Sequence, residues 1–176
     1  FISCYTEKSA KDEKKSDLET EIKSLKTFED KEKYILELFK SDQNVRKQLD
    51  DIVAKFAYKS EEYELVFNKR QRTDSLNFIK TKIYLNTYGY PSCKIFDKYS
   101  CSLFTYIIGH QGIFEKQKEV YPYFYNAYIN QALDEKSFLH LLDEMHESKY
   151  QTHYPVPSSY SVKERINELI KILELS

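Results

Sequence analysis

The chain contains only three glycines in 176 residues, and all three lie within residues 88–112. They are Gly89, Gly109 and Gly112, and they flank an apolar run. Glycine destabilises helix interiors and is favoured where the backbone must turn or approach another group closely. The remaining sequence repeats its apolar residues at helical intervals, with no convincing strand pattern. We therefore predict an all-α fold, a small multi-helix bundle whose main irregular connections fall in this stretch.

The composition narrows the class of protein. Hydrophobic residues make up 41% of the chain, which is enough to form a core. The 27 basic and 28 acidic residues leave a net charge of −1, so the basic surface of a nucleic-acid-binding protein is not expected. The 16 tyrosines and 11 phenylalanines predict an aromatic core. Stacking of sugars on exposed tyrosines is the alternative interpretation.

The first four residues, Phe1-Ile2-Ser3-Cys4, match the end of a bacterial lipoprotein signal, in which a small residue precedes the lipid-accepting cysteine. A polar run follows, as expected of a tether. We predict a signal remnant and tether over residues 1–17 and a single helical domain over residues 18–176. The protein would then be exported to the cell envelope and held at a membrane, in either leaflet, through a lipid on Cys4. The alternative is an ordinary cysteine.

The other two cysteines, Cys93 and Cys101, are eight residues apart. Export would allow them to pair, because disulfides persist in oxidising compartments. A separation of eight on a helix does not favour a bond. The sequence therefore leaves a disulfide and two reduced thiols equally open.

Helix signals divide the domain into segments. Ser41 is expected to cap the start of a helix, and the polar residues 68–74 are expected to form a break between two helices. The almost wholly apolar residues 99–108 predict the central helix. Ser161 and Glu164 form a capping box at the start of the last helix.

Polar residues suggest where a site lies. Asp42 and Arg46 are four residues apart on the flank of an apolar helical stripe. Two interpretations stay open: they form a structural ion pair, or they are part of a site. His110 follows the central helix between two glycines, where it could act as an acid/base, donate to a ligand, or bond a carbonyl. The nearest histidine spacings are six and seven residues, which do not fit a zinc site, so no metal or other cofactor is expected. The four histidines are His110, His140, His146 and His153.

Short motifs occur in a fixed order along residues 34–154. The positions are Asp42, Gln43 and Arg46, then Asp74 and Asn77, then Gly89, Tyr90 and Pro91, then His110, Asp143 and Gln151. This order resembles an uncharacterised bacterial family, a domain of unknown function, with the pattern D-Q-x-x-R, D-x-x-N, G-W-P, Q-H, D-R and Q-x-Y-G-T-Q. The chain departs from that pattern where Tyr90 replaces Trp, Gly109 replaces Gln and Glu144 replaces Arg. The final Y-G-T-Q is absent.

The resemblance implies that Asp42, Arg46, Asp74 and His110 converge in one polar pocket, and it implies no particular activity. The first hypothesis is a binding domain for a small ligand or protein partner. Its binding residues would be Arg46, Gln43, Asn77, Tyr90, Asp143 and Gln151.

The second hypothesis is a hydrolase or transferase. In it, His110 is the general acid/base, Asp42 or Asp74 orients the imidazole, and Arg46 anchors an anion. A carboxylate within hydrogen-bonding reach of His110, at the base of a concave pocket, would favour this enzyme. In a third hypothesis the polar residues only join helices.

Overall fold

The computed structural model describes residues 15–56, 58–155 and 159–175. These residues form a bundle of helices without strands, which confirms the all-α prediction. Cys4 and residues 1–14 of the predicted tether lie outside the described residues, whereas residues 15–17 belong to the first helix. The helices are α1 (15–23), α2 (Phe28–Lys55), α3 (Glu61–Tyr88), α4 (Lys98–Gly109), α5 (Phe114–Ile129), α6 (Glu135–Tyr150) and α7 (Val162–Ile172).

Two of the predicted helix boundaries are wrong. Ser41 lies inside α2, which instead starts at a capping box formed by Thr27 and Asp30. Residues 68–74 lie inside α3, because Lys, Arg and Gln are good helix formers and no Gly or Pro interrupts them. The predicted capping box of Ser161 and Glu164 is confirmed at the start of α7. Both long helices are therefore continuous over 28 residues, and the site residues lie in their interiors.

The central helix is α4, as predicted, and it packs against α2, α3, α5 and α6. Its inward residues Leu103, Phe104, Ile107 and Ile108 are almost completely buried. Helix α3 packs along α2, and α7 packs on α6. Helices α2 and α6 both pack against α4. The C-terminal end of α4 therefore meets the middle of α2, where the site lies.

Helix α1 is attached to the bundle through α3. Ile22 is completely buried. The hydroxyl of Tyr88, the last residue of α3, lies 2.7 Å from the carbonyl oxygen of Ile22 and 2.9 Å from that of Leu25, and its single proton is shared between these two acceptors. These bonds satisfy carbonyl groups at the end of α1. Among the described residues, no helix combines the length and apolar character that crossing a bilayer requires.

A disulfide joins Cys93 and Cys101, whose Cα atoms are 5.2 Å apart. Cys93 lies in the irregular segment that follows Gly89, and Cys101 lies in the first turn of α4. The bond therefore ties this segment to α4, instead of joining two positions on one helix. Of the two states that the sequence left open, the structure has the disulfide.

Candidate functional site

Four polar side chains from three helices meet beside the end of α4. Asp42 and Arg46 lie on α2, Asp74 lies on α3, and His110 is the residue that caps the C-terminus of α4. We call these four residues the His110 cluster. Asp42 is completely buried and Asp74 nearly so, whereas about a fifth of the Arg46 and His110 side chains is exposed. The two carboxyl groups of the cluster are therefore buried, and its two basic side chains are partly exposed.

The guanidinium of Arg46 binds both carboxylates. Its Nε and Nη2 atoms donate to Oδ2 (3.2 Å) and Oδ1 (3.1 Å) of Asp42, a bidentate arrangement. Nη2 also donates to Oδ1 of Asp74 at 2.8 Å. The remaining nitrogen, Nη1, donates no hydrogen bond to a residue that the structure describes. Because the other two nitrogens are fixed, Nη1 is held in a defined position.

The Nδ1 atom of His110 lies 2.9 Å from Oδ2 of Asp42 and 3.0 Å from Nε of Arg46. One nitrogen cannot donate to the first group and accept from the second. We assign the proton to Nδ1, because a lone pair facing the Asp42 carboxylate would be repelled, and Arg46 Nε has Asp42 as its own acceptor. In the neutral imidazole, Nε2 then carries the lone pair. Nε2 forms no hydrogen bond within the described parts of the chain.

The two carboxyl groups differ in their electrostatics. Burial alone would raise the pKa of Asp42, but hydrogen bonds from His110 and Arg46 outweigh it and hold the pKa below its ordinary value. Burial raises the pKa of Asp74 above its ordinary value, the charge of Asp42 adds to this, and Arg46 opposes it. Asp42 is therefore the stable anion of the cluster, and Asp74 is the carboxyl group that protonates more easily.

Two further residues from the sequence motifs lie beside the cluster. Gln43 donates from Nε2 to Oδ2 of Asp42 at 2.9 Å. Asn77 is buried one turn after Asp74, and its Nδ2 atom is buried without a hydrogen-bond partner in the described structure. The first two motifs therefore contribute to one region, as the resemblance implied.

Three of the predicted binding residues form other contacts. The half-buried Tyr90 donates to the carbonyl oxygen of Cys101 at 2.6 Å. Asp143 forms an ion pair with Arg165 of α7, with Nη2 to carboxylate distances of 3.0 and 3.1 Å. Gln151 is exposed and ends α6 with a left-handed backbone (φ 57°). All three have structural contacts, and none of them forms a hydrogen bond with a residue of the His110 cluster in the described structure.

Glu144, which stands where the resembled family pattern has Arg, lies against Gly109, the residue before His110. A Cβ atom placed on Gly109 would lie 2.9 Å from Cγ of Glu144. Glu144 therefore packs against the α4 backbone directly before His110. Two of the positions at which the chain departs from the pattern, Gly109 and Glu144, touch each other. The departure of both positions is the signal in the sequence that could have indicated Glu144.

The His110 cluster does not line either of the two cavities described here. One, of about 1230 Å³, lies between α1 and α3, and the other, of about 370 Å³, lies between α2 and α3. Within the described residues, no group of three or more His, Cys, Asp or Glu side chains is arranged to hold a metal ion. The arrangement can accept a proton on His110 Nε2. Once that atom is protonated, it can bind an anion through His110 Nε2 and Arg46 Nη1.

No protein family, curated protein or solved structure gave a significant match to this chain.

Proposed function

We propose that the protein is a helical binding domain that holds an acidic group of a small ligand or partner protein at the exposed edge of His110 and Arg46. One observation carries the proposal. The buried carboxylate of Asp42 fixes both basic side chains, at 2.9 Å and at 3.1–3.2 Å, while His110 Nε2 and Arg46 Nη1 are left without described protein partners. Arg46 Nη1 and the protonated His110 Nε2 are both charge-assisted donors, and such donors bind a carboxylate or phosphate.

The surroundings of the His110 cluster favour ligand binding over catalysis. Catalysis by acid/base transfer works best in a site that excludes water and surrounds the reacting group. The His110 cluster lines neither described cavity, and about a fifth of its Arg46 and His110 side chains is exposed to solvent. Such a surface can recognise an acidic group without enclosing it.

The test is a titration followed by nuclear magnetic resonance of histidine nitrogens. Protein labelled with nitrogen-15 at its four histidines would be titrated with sodium phosphate and with sodium acetate. His110→Gln identifies the resonance. We expect a saturable shift at His110 Nε2 that weakens strongly in Arg46→Lys, because lysine cannot keep the bidentate geometry.

His153 supplies an internal control, because it is 89% exposed and pairs only with Glu147 (3.0 Å) among its described neighbours. A His110 shift no larger than that of His153, or one that survives in Arg46→Lys, would refute the binding proposal.

A second candidate function is supported by the Asp42–His110 contact of 2.9 Å, which is the orientation required of a general acid/base. In this hydrolase or transferase, Asp42 would orient the imidazole and Arg46 would hold an anionic substrate group. Hydrolysis of p-nitrophenyl acetate tests it. Turnover that is lost in His110→Gln and retained in His153→Gln would favour catalysis, and equal rates in both variants would exclude this assignment.

We further propose that the protein is a divergent member of the resembled bacterial family. The supporting observation is that the first two motifs and His110 meet in space, although 28 and 64 residues separate Arg46 from Asp74 and from His110. The contact between Gly109 and Glu144 supports a paired change of these two positions.

We also propose that the protein is exported and anchored in the cell envelope by a lipid on Cys4. The lipoprotein-like Phe1–Cys4 pattern supports this, and so does the Cys93–Cys101 disulfide, since disulfides are rare in reducing compartments. The complete gene would be expressed in a bacterium supplied with an alkyne-tagged fatty acid. We expect incorporation of the tag and its loss in Cys4→Ala, whereas equal labelling of both proteins would rule out this anchor.

A further inference from the structure

The cavity between α1 and α3 is a second candidate binding site, separate from the His110 cluster. It has a volume of about 1230 Å³, the size range of small-molecule sites or slightly above it. Its floor is apolar. Leu76, Ile79 and Ile83 recur at helical spacing on α3, and Leu18 faces them from α1. Ile79 is 41% exposed although it lies in the middle of a long helix, which marks an apolar surface that the described residues leave partly uncovered.

The rim of this cavity is basic. Lys15, Lys23, Arg72 and Lys82 line it, against one acidic residue, Glu19. Lys23 is paired with Glu19 at 3.4 Å, and Lys82 is paired with Glu119. Lys15 and Arg72, on opposite helices, form no ion pair with a described residue. Two cations without a carboxylate partner among the described residues therefore lie at the apolar groove.

We propose that this cavity binds a single-chain amphiphile with an acidic head group, of the fatty-acid type. The alkyl chain lies on Leu76, Ile79 and Ile83, where burial of each methylene group is favourable. The carboxylate lies at the rim, beside Arg72 and Lys15. The proposal depends on charge complementarity and is independent of the function proposed for His110.

Other occupants fit the cavity less well. A second copy of the chain would bring the same cations against each other across a two-fold axis, which costs energy. A nucleic acid would use the cations but gain nothing from the apolar floor. A bilayer surface is bound by a protruding apolar face, whereas these residues lie recessed between two helices.

Isothermal titration calorimetry with sodium dodecanoate below its micelle concentration tests the proposal. Dodecyltrimethylammonium has the same alkyl chain and the opposite charge, and octanoate has the same head with a shorter chain. We expect saturable binding of dodecanoate, weaker binding of octanoate, and binding of dodecyltrimethylammonium at least about tenfold weaker. Arg72→Glu should lower the dodecanoate affinity about five- to tenfold.

Ile79→Asn tests the floor and should lower the dodecanoate affinity about tenfold. Its matched control is Leu65→Asn, because Leu65 is 73% exposed on the same helix and does not line the cavity. Both substitutions are at exposed helical positions, and circular dichroism would verify that both variants are folded. Three outcomes overturn the proposal: equal affinity for both head groups, equal loss in both Asn variants, or binding to phosphatidylglycerol vesicles without binding of monomeric dodecanoate.

Discussion

Replacing Asp42 by asparagine removes the central anion of the His110 cluster and keeps its shape. The native carboxylate accepts four hydrogen bonds, from Gln43 (2.9 Å), Arg46 (3.1 and 3.2 Å) and His110 (2.9 Å). An asparagine amide has an NH2 group that must face at least one of these donors. Breaking a buried ion pair by removing one partner costs about 3–5 kcal/mol. Because Arg46 keeps Asp74 at 2.8 Å and some solvent contact, we expect the lower end, about 3 kcal/mol.

Urea unfolding followed by far-ultraviolet circular dichroism at neutral pH measures this free energy. Asp51→Asn is the matched control, because Asp51 pairs with Lys47 (2.9 Å) four residues away on the same helix, with both side chains more than half exposed. Exposed pairs of this kind contribute only about 0.3–0.5 kcal/mol. If Asp42→Asn costs no more than Asp51→Asn, the reasoning from burial is refuted.

The pH dependence gives a second check on the same substitution. The pKa of Asp42 is lowered on folding from an ordinary value of 3.8, so its contribution to stability is present above that value and is lost as pH falls through the lower folded-state pKa. The pKa of Asp74 is raised, so its contribution has the opposite sign and is lost as pH rises through the folded-state value. We therefore expect the stability difference between wild type and Asp42→Asn to shrink in acid below the ordinary Asp pKa. A difference that grows in acid would contradict the assigned shift of Asp42.

Three further predictions concern the stretch around the glycines. Replacing Cys93 and Cys101 by serine should reduce the free energy of unfolding by about 2.5 kcal/mol from loop closure, measured by denaturation with and without reductant; two titratable thiols in the unreduced wild type would show that the bond is absent. Gly109→Ala should cost about 1 kcal/mol, because its Cβ would lie 2.9 Å from Cγ of Glu144, and most of that cost should disappear in the background of Glu144→Ala; a strictly additive double-mutant cycle would contradict the contact. Gly89→Ala should reduce the free energy of unfolding by about 1–3 kcal/mol from backbone strain alone, since φ is +74° and ψ is −169° and its added Cβ meets no atom within 4 Å beyond its chain neighbours. An unchanged thermal midpoint would refute that strain.

The sequence predicts the helical class well because the apolar residues recur at helical spacing. It places a helix start at Ser41 and a break at residues 68–74, because polar residues are typical of caps and loops, but both positions lie inside the continuous helices α2 and α3. Ser41 is exposed, and most of residues 68–72 are exposed, so polarity there reflects a solvated helix face. The run of Leu76, Ile79 and Ile83 has the spacing of a core stripe. Ile83 is buried in the core, but all three residues also line the cavity between α1 and α3.

The site could be predicted only in part. The spacing of Asp42 and Arg46 indicates a pair on one helix, and nothing local connects them with Asp74 or His110. Only the order of the family motifs suggested that all four meet. The contacts of Asp143 with Arg165 and of Tyr90 with Cys101 depend on how α4, α6 and α7 pack, which periodicity does not specify.

The contacts of the His110 cluster also have a consequence for the order of folding. The α2–α3 pair can form early, because five residues connect the two helices and its contacts are close in sequence. Until α4 packs against this pair, however, Asp42 and Arg46 have no contact with His110, which is 68 and 64 residues away in the sequence. Formation of the contacts between His110 and the α2 residues of the cluster would thus mark the step at which α4 packs against the α2–α3 pair. If so, Asp42→Asn will accelerate unfolding while leaving the refolding rate nearly unchanged, as expected of a contact formed after the transition state.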